Sequence, residues 1–321
     1  MKAALLPDRG VIKLAGDDAR NFLHGLVTAD ILTLAPAAAR FTALLTPQGK
    51  IIADFLVTEG SAAQANEFGS GFFLDIPRAL DATLTQRLNL YKLRAKVTVE
   101  DKSATLGVLA AWHEGANEQA AAQTHEMKIG LCYADPRLPA LGLRAIIPSE
   151  LAAQAAAELG ADLTDSAAYD AHRIALGVPQ GGVDFAYNDA FPHETDMDQL
   201  GGVDFKKGCF VGQEVVSRMQ HRGTARTRAV PVRFEGRAPE SGTAITAGGR
   251  AVGTLGSATV GSAGGGRGIA LLRLDRVDEA LAEGGTLSAG TVPIHLVKPD
   301  WARFPFPGEK AQGKAEETPD R

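Results

Sequence analysis

Across 321 residues, 33 basic against 38 acidic side chains leave a net charge of -5, with 45% of residues hydrophobic and 22% charged. That is ample chain for two or three domains with real cores; it lacks the basic excess of a chain built around nucleic acid and any run near the roughly 18 apolar residues of a membrane helix. Two cysteines, Cys132 and Cys209, exclude a disulfide framework and a self-contained four-cysteine iron–sulfur cluster, and they suit a reducing compartment.

The opening MKAALLPDRGVIKLAGDD has no apolar h-region and does not read as a signal or transit peptide. A cytoplasmic location is expected, or the mitochondrial matrix in a eukaryote. The seven histidines are scattered, with no CxxC or HxxxH spacing, so no metal ligands are assigned. Dinucleotide, Walker A and nucleophile-elbow glycine motifs are absent.

Val11 to Leu14 reads as a strand, and Asp17 as the cap of a helix burying Phe22, Leu23, Leu26 and Val27. Phe41–Thr46 and Lys50–Thr58 form a hairpin around Pro47-Gln48-Gly49. Asp54 interrupts the apolar run of its second strand. Alternation can turn that carboxylate to solvent, or a cavity can hold it toward a ligand. Phe72–Ile76 is a strand, and Pro77 opens a helix carrying Leu80, Leu84 and Leu88. Tyr91–Glu100 alternates as a strand whose basic face (Lys92, Arg94, Lys96) is either solvated or the wall of an anion site. Strands follow at Thr105–Trp112, Ile129–Tyr133 and Arg144–Ile147, with a loop or short helix over His113–His125. Helices are expected at Pro148–Leu159 and Asp165–Leu176, the second stopped by Gly177. Antiparallel hairpins mixed with helices argue for an α+β fold. Asn188–Leu200 carries four acids without calcium-loop spacing and reads as solvated or ligand-facing.

Asp204–Arg228, DFKKGCFVGQEVVSRMQHRGTARTR, has six basic and two acidic residues, +4 against the acidic background. Gln213–Arg222 reads as a helix with Gly223 at its C′ position and Glu214–Arg218 as an i,i+4 pair. Cys209, just ahead of that helix and near Lys207, is either a reactive thiolate or a structural cysteine in a tight turn. Beyond Arg228, short strands and glycine-rich turns read as a β-barrel or sandwich, ending in a charged, apolar-poor tail.

Lys207-Gly208-Cys209-Phe210-Val211-Gly212-Gln213-Glu214 resembles the K-G-C-[aromatic]-x-G-Q-E signature of the YgfZ family, folate-binding proteins linked to iron–sulfur cluster assembly and repair and related to the aminomethyltransferases of glycine cleavage. GDDARNFLHGLVTAD, FTALLTPQGKIIADFLV and AHRIALGVPQGGVDF extend the similarity to about Pro299. The resemblance implies a GcvT-like, three-lobed α+β ring around a central folate channel, with a C-terminal antiparallel β-barrel. It divides the chain into a folate-binding region of two intertwined lobes (1–228) and the barrel (229–300), and the charged, apolar-poor composition leaves 301–321 as an expected disordered tail.

The resemblance makes Cys209 the functional thiol within the motif Lys207, Gly208, Cys209, Gly212, Gln213 and Glu214. It places Asp54 at the folate as an acid/base group, and Glu194 against the pteridine, where a carboxylate can accept two N–H bonds. Arg222, in the basic stretch, is expected to hold the folate tail. The expected function is a tetrahydrofolate-binding accessory factor for iron–sulfur cluster assembly or repair, with assembly or client proteins as partners. Folate-dependent aminomethyl transfer and association with tRNA modification are the alternatives. The motif cysteine, lacking in true aminomethyltransferases, weighs against the first. The acidic total weighs against direct nucleic-acid binding.

Overall fold

The structure is a computed structural model that describes residues 1–60, 68–114, 127–223, 225–261 and 264–308. Two five-stranded sheets and a closed barrel organise it. The first sheet runs β3 (Ala39–Leu45), β4 (Ile51–Gly60), β5 (Gly71–Pro77), β2 (Arg9–Ala15), β6 (Thr98–Asp101), antiparallel throughout. Helices α1 (Ala19–Leu26) and α2 (Asp81–Tyr91) cover one face, burying Leu23, Leu84 and Leu88 against Phe55, Val57 and Leu74. The second sheet runs β10 (Asp162–Thr164), β1 (Lys2–Leu6), β7 (Leu106–Trp112), β9 (Leu143–Pro148), β8 (Leu131–Ala134), with β1 and β10 parallel. Its outer face carries α3 (Ala152–Glu158), packed on Ala3, Leu109, Cys132 and Ile147.

The inner faces of the two sheets share one core, with Phe41, Leu56 and Phe73 from the first and Leu6, Val108, Trp112 and Ile146 from the second. β4 is therefore buried on both faces, which is why its sequence is apolar without alternation. Ala53, Phe55 and Val57 face the helices, and Leu56 faces the second sheet. By the period of two, Asp54 points with Leu56 into the space between the sheets.

The barrel closes in the order β11 (Thr227–Glu235), β14 (Gly265–Arg273), β13 (Arg250–Val260), β12 (Ala244–Ala247), β15 (Leu287–Ala289), β16 (Val292–Leu296), and β16 pairs back to β11. α6 (Leu274–Ala282) packs Leu274 and Val277 into its core. α4 (Ser166–Ala175), capped by the Asp165 side chain, bridges to the rest: its buried Arg173 donates to Asp184 (3.0 Å) and to Ser257 of β13 (2.9 Å).

Several expectations change. The cap position of α1 is held by Asp18, not Asp17. Tyr91–Glu100 is not a strand: α2 continues to Tyr91, a turn with Leu93 at φ 43° follows, and pairing begins only at Thr98. Its basic residues therefore line a turn rather than one strand face. Residues 301–308, expected within the tail, are packed, because Ala302, Phe304 and Phe306 bury against the barrel and Trp301 Nε1 donates to the Leu176 carbonyl (2.9 Å). The remainder of the tail and most of His113–His125 lie outside the described residues.

Candidate functional site

The motif loop is tied at both ends. Upstream, the Asp204 amide donates to the Thr28 carbonyl (3.0 Å), and Asp204 Oδ1 accepts from the Lys206 and Lys207 amides (2.7 and 3.1 Å). The Lys207 side chain then turns inward. Its ammonium donates to the carbonyls of His24 (2.6 Å), Val27 (2.6 Å) and Ala29 (3.0 Å), where α1 runs out of partners of its own. A cation at a helix C-terminus also complements the helix dipole. Burial lowers its pKa to about 8, against the pull of Asp30 and Asp204. All three N–H donors are spent on carbonyls at and just beyond the end of α1, so the expected help from Lys207 to the Cys209 thiolate is not delivered by a hydrogen bond.

Downstream, Gly212 adopts φ 83° and opens α5 (Gln213–Arg222). A Cβ there would meet the Thr46 carbonyl oxygen at 2.6 Å and Gly49 Cα at 3.0 Å, so only glycine lets the loop rest on the β3–β4 turn. Phe210 and Val216 anchor the segment in the inter-sheet core. Between these anchors Cys209 is free and exposed. Gly208 beside it has no atom within 4 Å of where a Cβ would stand, and its φ is not positive. Neither space nor backbone shape requires glycine at 208. Along α5, Glu214 and Arg218 form the expected pair (2.7 Å) on its exposed surface, and Gly223 caps its end at φ 58°.

Asp54 lies elsewhere, at the inter-sheet centre and 8% exposed. Tyr187 donates its hydroxyl to Asp54 Oδ1 (2.6 Å), and burial together with the Asp54 charge holds the phenol well above its usual pKa. Around it stands a buried cluster that sequence reasoning missed. Asp75 receives Arg9 (2.6 Å) and Arg144 (2.8 Å), while Asp135 receives Arg144 (3.0 Å) and Arg137 (2.9 and 2.6 Å). Arg144 also donates to the Tyr169 hydroxyl (2.8 Å). Burial pushes the Asp135 carboxyl up, but Arg137 and Arg144 outweigh it and hold it far below the ordinary range. The signal was present: Asp75 within FFLDIP and Arg144 within LRAII are charges in apolar strands, the same anomaly as Asp54.

The cavity lined by Asp54, Arg9, Arg137 and Arg144 measures about 30 Å³. A drug-sized ligand needs roughly 300–1,000 Å³. Tetrahydrofolate does not fit among these residues, and their hydrogen bonds go to one another. Nor do the other expected folate contacts join Asp54. Glu194 is half-buried, accepts from the Phe191 amide (2.9 Å) and has its pKa raised by burial, but it does not line this cavity. Arg222 is exposed at the end of α5. The acidic loop is not solvated as a whole: Arg228 clamps Asp196 (3.2 Å) and Asp198 (2.6 and 3.0 Å) in the interior, stacks on Phe304 at 4.6 Å and donates to the His193 carbonyl (2.7 Å). His193 in turn meets Gln220 of α5 at 3.0 Å. The last arginine of the basic stretch therefore serves the structure.

Residues 226–304 match the family of the CAF17 C-terminal beta-barrel domain. Over 241 residues the chain is 35% identical to the mitochondrial iron–sulfur cluster assembly factor IBA57 homolog of Mycosarcoma maydis, covering 73% of this chain and 57% of that protein. It therefore spans little more than half the length of the fungal relatives. Identity to the mitochondrial iron–sulfur cluster assembly factor IBA57 of Homo sapiens is 32% over 312 residues, covering 92% and 84% of the two chains. In architecture it is similar to the glycine cleavage system aminomethyltransferase T from Bartonella henselae, with a TM-score of 0.69, 16% identity, and 95% and 87% of the chains covered. The expected GcvT-like fold with a C-terminal barrel is thereby borne out.

Proposed function

The chain belongs to the family of the iron–sulfur cluster assembly factor IBA57, and from that premise we propose that it acts in iron–sulfur cluster assembly by offering the Cys209 thiolate to a cluster that a partner protein also holds. The observation that carries this reading is a free, exposed thiol on a loop fixed at both ends. A cluster, here cargo, is held by several thiolates. Cys132 is buried beneath α3, so Cys209 is the one thiol this chain brings to its surface. The partner supplies the remaining ligands, and the thiol releases its proton on ligation. Gly208 leaves the approach to the sulfur unshielded by a side chain.

The curated relatives carry the name IBA57 rather than YgfZ; the iron–sulfur role expected from the resemblance fits both. Their names are mitochondrial, which supports a mitochondrial setting over the cytoplasmic expectation. Folate binding at Asp54 would require the cavity there to open well beyond its present volume of about 30 Å³, and no observation favours the tRNA-modification reading.

The test is complementation. In cells lacking the protein, Cys209→Ala is expected to fold and accumulate normally yet fail to restore iron–sulfur enzyme activity; full rescue would refute the reading. Calorimetry of the whole chain with tetrahydrofolate settles the cofactor. Saturable heat that disappears in Asp54→Asn would return folate to the mechanism, and absence of heat would leave the thiol alone.

A further inference from the structure

The barrel carries a feature outside the thiol site. Arg233 of β11 stands directly opposite His295 of β16 on one side and Arg267 of β14 on the other. All three are exposed. Like charges directly opposite one another on paired strands are destabilising, yet among the described residues no ion pair neutralises Arg233 or the Arg267 that faces it. Among the described residues, Arg267 reaches only the Ala175 carbonyl, at 3.4 Å.

This basic row borders a groove. A depression of about 680 Å³ between α6, β16 and the 301–308 segment is lined by Arg233, His295 and Lys298 above a floor that includes Leu281, Leu296 and Phe306. A second, of about 350 Å³, shares Arg233, Pro293 and His295 with it and adds Glu235. The first lies in the size range of ligand-binding clefts.

We propose that this groove binds an acidic, amphipathic peptide segment of a partner protein, its carboxylates meeting Arg233 and His295 and its apolar side chains entering the depression over Leu296 and Phe306. Three observations select that occupant. Arg233 at the rim attracts negative charge, and its repulsion with Arg267 across the strand pair is relieved when carboxylates arrive. The floor is apolar, so a purely polar anion would leave it uncovered. The barrel is closed and offers no free sheet edge, so recognition runs through side chains and not through strand addition. Nucleic acid is disfavoured because no exposed aromatic ring lines the groove for base stacking. The proposal stands apart from the thiol reading.

The test is fluorescence anisotropy on the whole chain with a labelled peptide of alternating glutamate and leucine. Saturable, salt-sensitive binding is expected. Arg233→Glu should weaken it about tenfold or more, and serine in place of leucine should weaken it as well, while Cys209→Ala leaves it unchanged. Circular dichroism of Arg233→Glu checks that the barrel is intact, and Leu296→Ser offers a second, charge-neutral probe of the groove. The proposal is overturned by absence of saturation, by binding that survives both variants, or by tighter binding of a single-stranded RNA oligonucleotide of equal charge.

Discussion

Lys207→Met removes the ammonium while keeping most of the aliphatic stem. Three charge-assisted hydrogen bonds disappear and the carbonyls of His24, Val27 and Ala29 lose their donor. Such bonds contribute about 1.5–3 kcal/mol each, so roughly 4–9 kcal/mol in sum. The ammonium's burial offsets part of this: a pKa lowered from 10.5 to about 8 corresponds to a cost of about 3 kcal/mol. The expected net loss is about 3 kcal/mol, read by urea denaturation at neutral pH. The sign of the pH dependence is a further signature. Between pH 8 and 10.5 the unfolded chain keeps the lysine proton that the folded chain has released, so wild-type stability gains with rising pH through that window and the gain is absent below it. Lys207→Met lacks this term, so its deficit should widen on the alkaline side. A variant within 0.5 kcal/mol of wild type (about the noise of a surface change), with a parallel pH profile, would refute the anchoring role.

Further outcomes follow from the same geometry. Gly212→Ala should cost about 1–3 kcal/mol through its left-handed backbone and the clash at Thr46, measured by thermal denaturation. Asp75→Asn leaves Arg9 and Arg144 short of a buried counter-charge and should destabilise by about 3–5 kcal/mol. Asp135, with its carboxyl held low, contributes stability that is complete above its unfolded pKa and lost as pH falls toward its folded value; Asp135→Asn should flatten the acid limb of a stability–pH curve. Gly208→Ala should leave stability within about 0.5 kcal/mol yet reduce complementation, and unchanged complementation would remove Gly208 from the partner's path.

Local patterning made much of this fold legible. The β3–β4 hairpin, the α4 helix stopped at Gly177, α5 between two glycines and most barrel strands follow from alternation and turn chemistry. What escaped is non-local. β1 and β10 are short, and their parallel pairing joins residues about 160 positions apart, so no neighbouring pattern announces it. α6 was lost among glycine-rich turns, although Leu274, Val277 and Leu281 recur at helical spacing. The exposed thiol was legible as a motif but not in its support: Lys207 looked like a neighbour of sulfur and proved to be a tie to α1. For Asp54 the residues alone left solvent and cavity open and the family resemblance pointed to a cavity, but the cavity's contents come from four distant strands and loops whose charges only meet in space.

β4 fastens these parts together. Its Ile51 exchanges backbone hydrogen bonds with Asn188 and Ala190, its hairpin turn supports Gly212, and Asp54 holds Tyr187. Nine of its ten residues are buried, so its amides should exchange with solvent only when the whole unit opens. The thiol loop, the acidic loop and the central cavity then form one cooperative unit in hydrogen exchange. A partner engaging Cys209 should slow exchange at Asp54 and Tyr187, far from the surface it touches.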